Sequence, residues 1–190
     1  MRFADRRAAG RALAERLPHY RAGGQHPDPL VLALPRGGLP VADEVARALA
    51  APLDIIVVRK IGAPFAAEVG LGAVVGDDPP QYDEAALAQL GLTEDDLAPI
   101  AHREREELRR RTAAYRQGRP EPELAGHTAI VVDDGLATGS TARAALLRPE
   151  ADEVVCLEQP PAFHAVGAWY ADFAQLTDAE VLRVLRADRP

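Results

Sequence analysis

The sequence predicts an α/β protein with a mostly parallel, twisted sheet flanked by helices. Three observations point there. Short, near-continuous apolar runs at 29–35 (PLVLALP), 53–58 (LDIIVV) and 129–132 (AIVV) have the character of strands buried on both faces. Stretches of helical periodicity separate them. Each run ends in glycine or charge, at Arg36-Gly37-Gly38, Arg59-Lys60 and Asp133-Asp134, and ligands of such sheets bind beyond the carboxyl ends of the strands.

In chain order, residues 3–21 place Ala8, Ala12, Leu13 and Leu17 at helical spacing, with Pro18 marking the end of the helix. The first strand at 29–35 passes through the Arg36-Gly37-Gly38 turn into a helix with Val41, Val45, Ala48 and Leu49 on one side. The second strand at 53–58 ends at Arg59-Lys60. Gly62, Pro64 and Gly70 then break regular structure, which predicts a mobile loop before a short strand at 71–75. A helix over 93–117 opens on Thr93 with acids in its first turn and arginines later, a polarity that suits the helix dipole. Its charged face from Arg103 to Arg111 reads as a solvated outer surface. Residues 118–126 form a Pro/Glu-rich linker to the third strand. A helix from Gly139 to about Leu147, a strand at 153–157, an irregular segment (QPPAFHAVGAWYADF) and a last helix near Thr177 and Asp178 complete the chain. The expected organisation is a single domain over 1–190, with its core at about 27–158.

The 190 residues are enough to bury a substantial core, and 47% hydrophobic with 27% charged residues is ordinary globular composition. A net charge of −7 and a pI near 5.3 argue against a nucleic-acid partner held by a broad basic surface. No apolar run approaches the roughly 20 residues of a membrane span, and the N-terminal stretch lacks a signal peptide's apolar core, so the expected location is cytoplasmic. Cys156 is the only cysteine and reads as a small buried strand residue. The five histidines include no pair at metal-ligand spacing, and none is assigned to a metal.

Residues 129–141, A-I-V-V-D-D-G-L-A-T-G-S-T, carry the chemistry. A buried strand fixes position, twin carboxylates can hold vicinal hydroxyls, and exposed N–H groups at a helix start attract a phosphate. Capping and an Asx turn would explain one aspartate, but two adjacent acids exceed what capping needs and repel each other unless a ligand or metal shares them. Thr138, Ser140 and Thr141 could cap the helix or hold phosphate with the same geometry. The stretch resembles the signature of the type I phosphoribosyltransferases for 5-phosphoribosyl 1-diphosphate (PRPP): a hydrophobic strand, two acids, a short loop, then Thr-Gly-x-Thr. Asp133, Asp134, Thr138, Gly139 and Thr141 fall on it. Nearly the whole chain is similar to an uncharacterised bacterial branch of that family.

The resemblance implies the family's Rossmann-like fold with a small C-terminal hood formed by 159–190 together with the N-terminal helix, Mg2+ as cofactor, and transfer of a phosphoribosyl group to a nitrogen acceptor with release of diphosphate. Asp133 and Asp134 would hold the ribose, and Ala137, Thr138, Gly139, Ser140 and Thr141 the 5-phosphate. Arg36, Gly37 and Gly38 with Arg59 and Lys60 would meet the diphosphate, and Asp133, Asp134 and Lys60 are the candidate catalytic residues. Gly37 and Gly38 could be only a tight turn; as a functional loop they would let the backbone approach diphosphate, with N–H groups forming an anion nest. Lys60 has an argument internal to the chain, for it is the only lysine among 22 basic side chains, and a lysine is a compact, flexible point charge. Phe163, Trp169 and Tyr170 are candidate acceptor contacts in the hood, although packing of the hood explains them about as well. Any direct metal ligands would be Asp133 and Asp134. The partners implied are PRPP and a nitrogen acceptor, without nucleic acid or membrane, and a homodimer is left open.

Three departures stand out. Position 137 is alanine, where hypoxanthine-guanine members carry a carboxylate. Phe65 to Ala67 replace a more polar, turn-forming segment in the loop after Lys60. Roughly two dozen residues of the related branch are absent between Leu147 and Glu153, about one strand and one crossover helix, which implies a sheet one strand–helix unit shorter. Because binding residues are clearer than catalytic ones, a non-catalytic PRPP or nucleotide sensor on the same fold is the alternative. A phosphatase or receiver-like domain with an aspartate nucleophile is more distant, since it leaves Thr-Gly-Ser-Thr unexplained.

Overall fold

A computed structural model of the chain describes residues 2–21, 26, 28–135, 155, 157 and 165–186. The described residues fall into two compact units. The first draws on Met1–Ile55, Glu121–Ala137 and Pro149–Pro190, and the second on Ile56–Pro120. The expected helix at 139–147, most of the strand at 153–157, Cys156, and the site residues Ala137, Thr138, Gly139, Ser140, Thr141 and Phe163 lie outside the described residues.

The first unit is built on three parallel strands: β1 (Pro29–Ala33), β2 (Leu53–Ile55) and β6 (Thr128–Val132), in the order β2-β1-β6. β1 is buried along its whole length, as the central strand of a sheet covered on both faces must be. Its register with β6 runs from Pro29 opposite Thr128 to Ala33 opposite Val132. One further bond, from the Leu34 N–H to the Val132 carbonyl at 2.9 Å, continues the pairing to the strand ends. Helix α1 (Arg6–Ala14) starts where the Asp5 carboxylate accepts the Ala8 N–H at 2.7 Å, a side-chain cap at the point of chain reversal. It packs on α2 (Gly38–Leu49) at Gly10, where an added Cβ would lie 2.6 Å from the Val41 carbonyl oxygen. α2 turns Leu39, Val41, Val45 and Leu49 inward. The C-terminal segment joins the N-terminal one: the Phe3 N–H donates to the Trp169 carbonyl and the Ala171 N–H to the Phe3 carbonyl, both at 2.8 Å.

The second unit is an antiparallel sheet, β3 (Val58–Ala63), β4 (Ala66–Val75) and β5 (Gln81–Tyr82), with helices α3 (Glu84–Leu90) and α4 (Glu94–Arg116). Residues 58–75, expected to contain a mobile loop, form a hairpin that turns at Pro64 and Phe65. α4 follows the expected bounds closely. Thr93 and Asp96 form a reciprocal capping box, and Glu94, Asp95 and Asp96 occupy the first turn. The final helix, α5 (Asp178–Arg186), belongs to the first unit and starts where expected. No helix among the described residues is long and apolar enough to cross a membrane.

Candidate functional site

Because β1 and β6 are paired in parallel, their carboxyl ends lie side by side, and the two turns that leave them meet. Arg36-Gly37-Gly38 follows β1 through a cis Pro35–Arg36 peptide bond, and Asp133-Asp134 follows β6. The contact is intimate. A Cβ on Gly37 would collide with the Asp134 carboxylate, coming 2.6 Å from its Cγ, and one on Gly38 would lie 2.6 Å from the Val132 carbonyl oxygen and 2.9 Å from the Asp133 Cα. Neither glycine has positive φ, and Gly37 has ordinary helical angles. Their requirement is space, and the acids occupy it. The Gly38 N–H donates to the Leu34 carbonyl at 3.0 Å, so this amide closes the turn and leaves one donor fewer for the expected anion nest.

Both acids are held. The Asp134 N–H donates to Asp133 Oδ1 at 2.8 Å. Burial above all, and then the neighbouring Asp134 charge, push the Asp133 carboxyl up to about 7. Asp134 Oδ2 accepts from Arg6 Nε at 2.7 Å, with only 10% of the Arg6 side chain and 13% of the Asp134 side chain exposed. The same guanidinium donates through Nη1 to the Ala174 carbonyl at 2.8 Å and lies 3.8 Å above the centre of the Phe173 ring. The Tyr170 hydroxyl donates to the Asp134 main-chain carbonyl at 2.6 Å. Burial first, then the Asp134 charge, raise the Tyr170 phenol to about 12, which keeps it a donor.

The sequence-predicted residues therefore separate into groups. Arg36, Gly37, Gly38, Asp133 and Asp134 come together. The Arg36 guanidinium is partly exposed and 3.8 Å from Asp178 at the start of α5, a loose pairing. Tyr170 is buried, with its ring stacked on Phe173 at 5.2 Å and beside Phe3 at 5.8 Å and its hydroxyl on the Asp134 carbonyl. Trp169 is half-buried, and its carbonyl holds Phe3. In the second unit, Arg59 and Lys60 are successive residues of β3 and point to opposite faces. Arg59 turns to α4, where Glu104 Oε2 accepts from its Nε at 2.9 Å and Nη2 at 2.6 Å. Diphosphate contact expected of Arg59 would have to displace this clamp. Lys60 Nζ donates to the Glu68 carbonyl at 3.2 Å, and the Glu68 carboxylate, 3.6 Å away, is fully exposed. Sequence reading misses Arg6, which meets its partner across 128 residues of chain.

Among the described residues, no group of three or more His, Cys, Asp or Glu side chains is placed to hold a metal. Two adjacent carboxylates suit a Mg2+ that takes most of its oxygens from phosphate and water, rather than a closed protein cage.

Residues 5–151 match the model of the phosphoribosyl transferase domain. Two curated proteins from strains of Mycobacterium tuberculosis, each named "Putative phosphoribosyl transferase", are 39% identical over an alignment that covers 98% of this chain and 47% of theirs. The chain thus spans about half the length of the curated relatives it matches. That alignment runs to 213 positions for a chain of 190, so the relatives carry additional residues within the matched span. The crystal structure of TT1426 from Thermus thermophilus is 41% identical, with a TM-score of 0.78 over 97% of this chain and 98% of that one. Matched by the domain model over most of its length and similar to these proteins almost from end to end, the chain belongs to the phosphoribosyl transferase family.

Proposed function

We propose that the chain binds PRPP with Mg2+ and transfers its 5-phosphoribosyl group to a nitrogen acceptor, releasing diphosphate. The observation that carries this reading is the meeting of two turns nearly a hundred residues apart in sequence: Arg36-Gly37-Gly38 and Asp133-Asp134 converge at the carboxyl ends of adjacent parallel strands. A diol-binding pair of acids beside a turn that carries a partly exposed arginine suits a ligand with ribose hydroxyls and a diphosphate on neighbouring carbons.

In this reading Asp133 and Asp134 accept hydrogen bonds from the ribose hydroxyls, and Arg36 draws the diphosphate. Residues 137–141 take the 5-phosphate, an assignment that rests on their sequence. Lys60 would be the second cation for the leaving group, an assignment that rests on its sequence. The bond from the anomeric carbon to diphosphate oxygen breaks as the bond to acceptor nitrogen forms, and the protein's part is positioning and charge stabilisation. Bound Mg2+ would offset charge on the departing diphosphate. Position 137 is alanine, so the motif supplies no carboxylate base there, and an acceptor that loses its proton readily suits the site best.

The ion pair that already engages Asp134 favours one second reading, a PRPP-binding regulator without turnover. Diphosphate release from PRPP, measured across a panel of bases and amines, separates the two. Acceptor-dependent release supports the transferase. Tight PRPP binding with no release for any acceptor supports the regulator.

A further inference from the structure

We propose that Arg6 is a positioning residue of the PRPP site, holding the Asp134 carboxylate in the orientation that receives the ribose diol. The inference rests on the reading of the acid pair as the ribose site and extends it to the N-terminal helix. Arg6 is buried, and three features fix its guanidinium at once: Asp134 Oδ2 at 2.7 Å from Nε, the Ala174 carbonyl at 2.8 Å from Nη1, and the Phe173 ring 3.8 Å beneath. The backbone that carries it is fixed as well. The Asp5 cap sets the first turn of α1, and Gly10, just over one turn on, seats the helix against α2.

A planar guanidinium with donors in a fixed fork can serve the carboxylate and the carbonyl together, which an ammonium cannot do in the same geometry. Two carboxylates on adjacent residues repel each other, and Arg6 supplies the countercharge that lets Asp134 remain beside Asp133. Gly37 leaves room for the same carboxylate, for an added Cβ there would collide with the Oδ2 that Arg6 holds. The Tyr170 hydroxyl holds the main-chain carbonyl of the same residue. The C-terminal segment therefore braces Asp134, through Tyr170 directly and through the Ala174 carbonyl and Phe173 ring that hold Arg6. Its effect on the reaction need not pass through the acceptor.

The test is calorimetric titration of PRPP with Mg2+ into the full chain and into Arg6→Gln, Arg6→Lys, Asp134→Asn and the Arg6→Gln/Asp134→Asn double variant. Arg6→Gln should weaken binding by about tenfold or more, and Arg6→Lys should recover part of the loss by restoring the charge without the fork. The double variant should bind no more weakly than Asp134→Asn alone, because Arg6 acts through that carboxylate. Wild-type affinity in Arg6→Gln would overturn the proposal and leave the ribose site standing, as would losses that add in full in the double variant. Absence of PRPP binding by the wild-type chain would instead remove the ribose-site reading and this proposal with it. If Arg6→Gln does not fold, the Arg6 Nε–H resonance of the wild-type protein decides. A shift of that signal on titration with ribose 5-phosphate and Mg2+ supports the proposal, and an unmoved signal overturns it.

Discussion

The acid-pair region and the β3–β4 hairpin hold the two sets of charges assigned to one ligand, yet they are built on opposite principles. Asp133 and Asp134 sit at the end of β6, beside the fully buried strand β1, gripped by a main-chain amide, a buried arginine, a tyrosine and two glycines that leave only enough space. Lys60 has one carbonyl and an exposed carboxylate from its own hairpin, and the turn nearby presents Phe65, 66% exposed. Preorganisation is concentrated where ribose would be read, while the hairpin cation is held by contacts that cost little to exchange. The acid pair is a finished surface, and the hairpin cation an adjustable one.

If that contrast holds, the largest loss follows removal of both acid charges. Asp133→Asn with Asp134→Asn should abolish Mg2+-dependent PRPP binding in calorimetry while the circular dichroism spectrum stays that of the wild-type protein; unchanged affinity would refute the ribose role. Next in size is Gly38→Ala. The new carbon meets main-chain atoms of Val132 and Asp133, which cannot swing aside, so urea unfolding should show a loss of about 1–3 kcal/mol.

Asp133 also sharpens the comparison through pH. Its carboxyl is raised from 3.8 to about 7, so the native chain keeps this proton where the unfolded chain has lost it. The resulting stability is fully present below 3.8 and is lost as pH rises through about 7. Asp133→Asn stays neutral throughout and should flatten that part of the profile, gaining on the wild type in urea melts at pH 8 relative to pH 5. Lys60→Ala should have a smaller effect, weakening diphosphate by about tenfold in calorimetry and ribose 5-phosphate much less; equal losses would count against its placement. Arg59→Met should change least, costing about 1 kcal/mol of stability with the loss of the Glu104 clamp and leaving diphosphate affinity within about twofold.

Much of this contrast is legible in the sequence on one side and hidden on the other. The strand at 128–132, its acids, the β1 turn and the capped helix α4 can all be read, because each is a local pattern of burial, spacing or capping. The hairpin escapes such a reading because its glycines pass for breakers. Gly62 stands where a Cβ would press within 2.9 Å of the Ala67 Cα, so it permits a close crossing of strands at an irregular step in the ladder. Helix α3 escapes it too despite its signals, an Asp83 cap and Gly91 in the left-handed conformation, because seven residues give periodicity little room. Arg6 is out of reach, since nothing near it in sequence names Asp134. Gly37 and Gly38 likewise gain a reason the sequence does not show: beside the approach to diphosphate they suggest there, the acid pair and its strand fill the space a Cβ would need.

The most direct test of the central claim is a crystal of the chain soaked with PRPP and Mg2+. Density for the ribose should lie at the carboxyl end of β6, with its diol within hydrogen-bonding distance of Asp133 and Asp134 and its diphosphate toward Arg36. Ordered ligand elsewhere, with the acid pair untouched, would contradict the account.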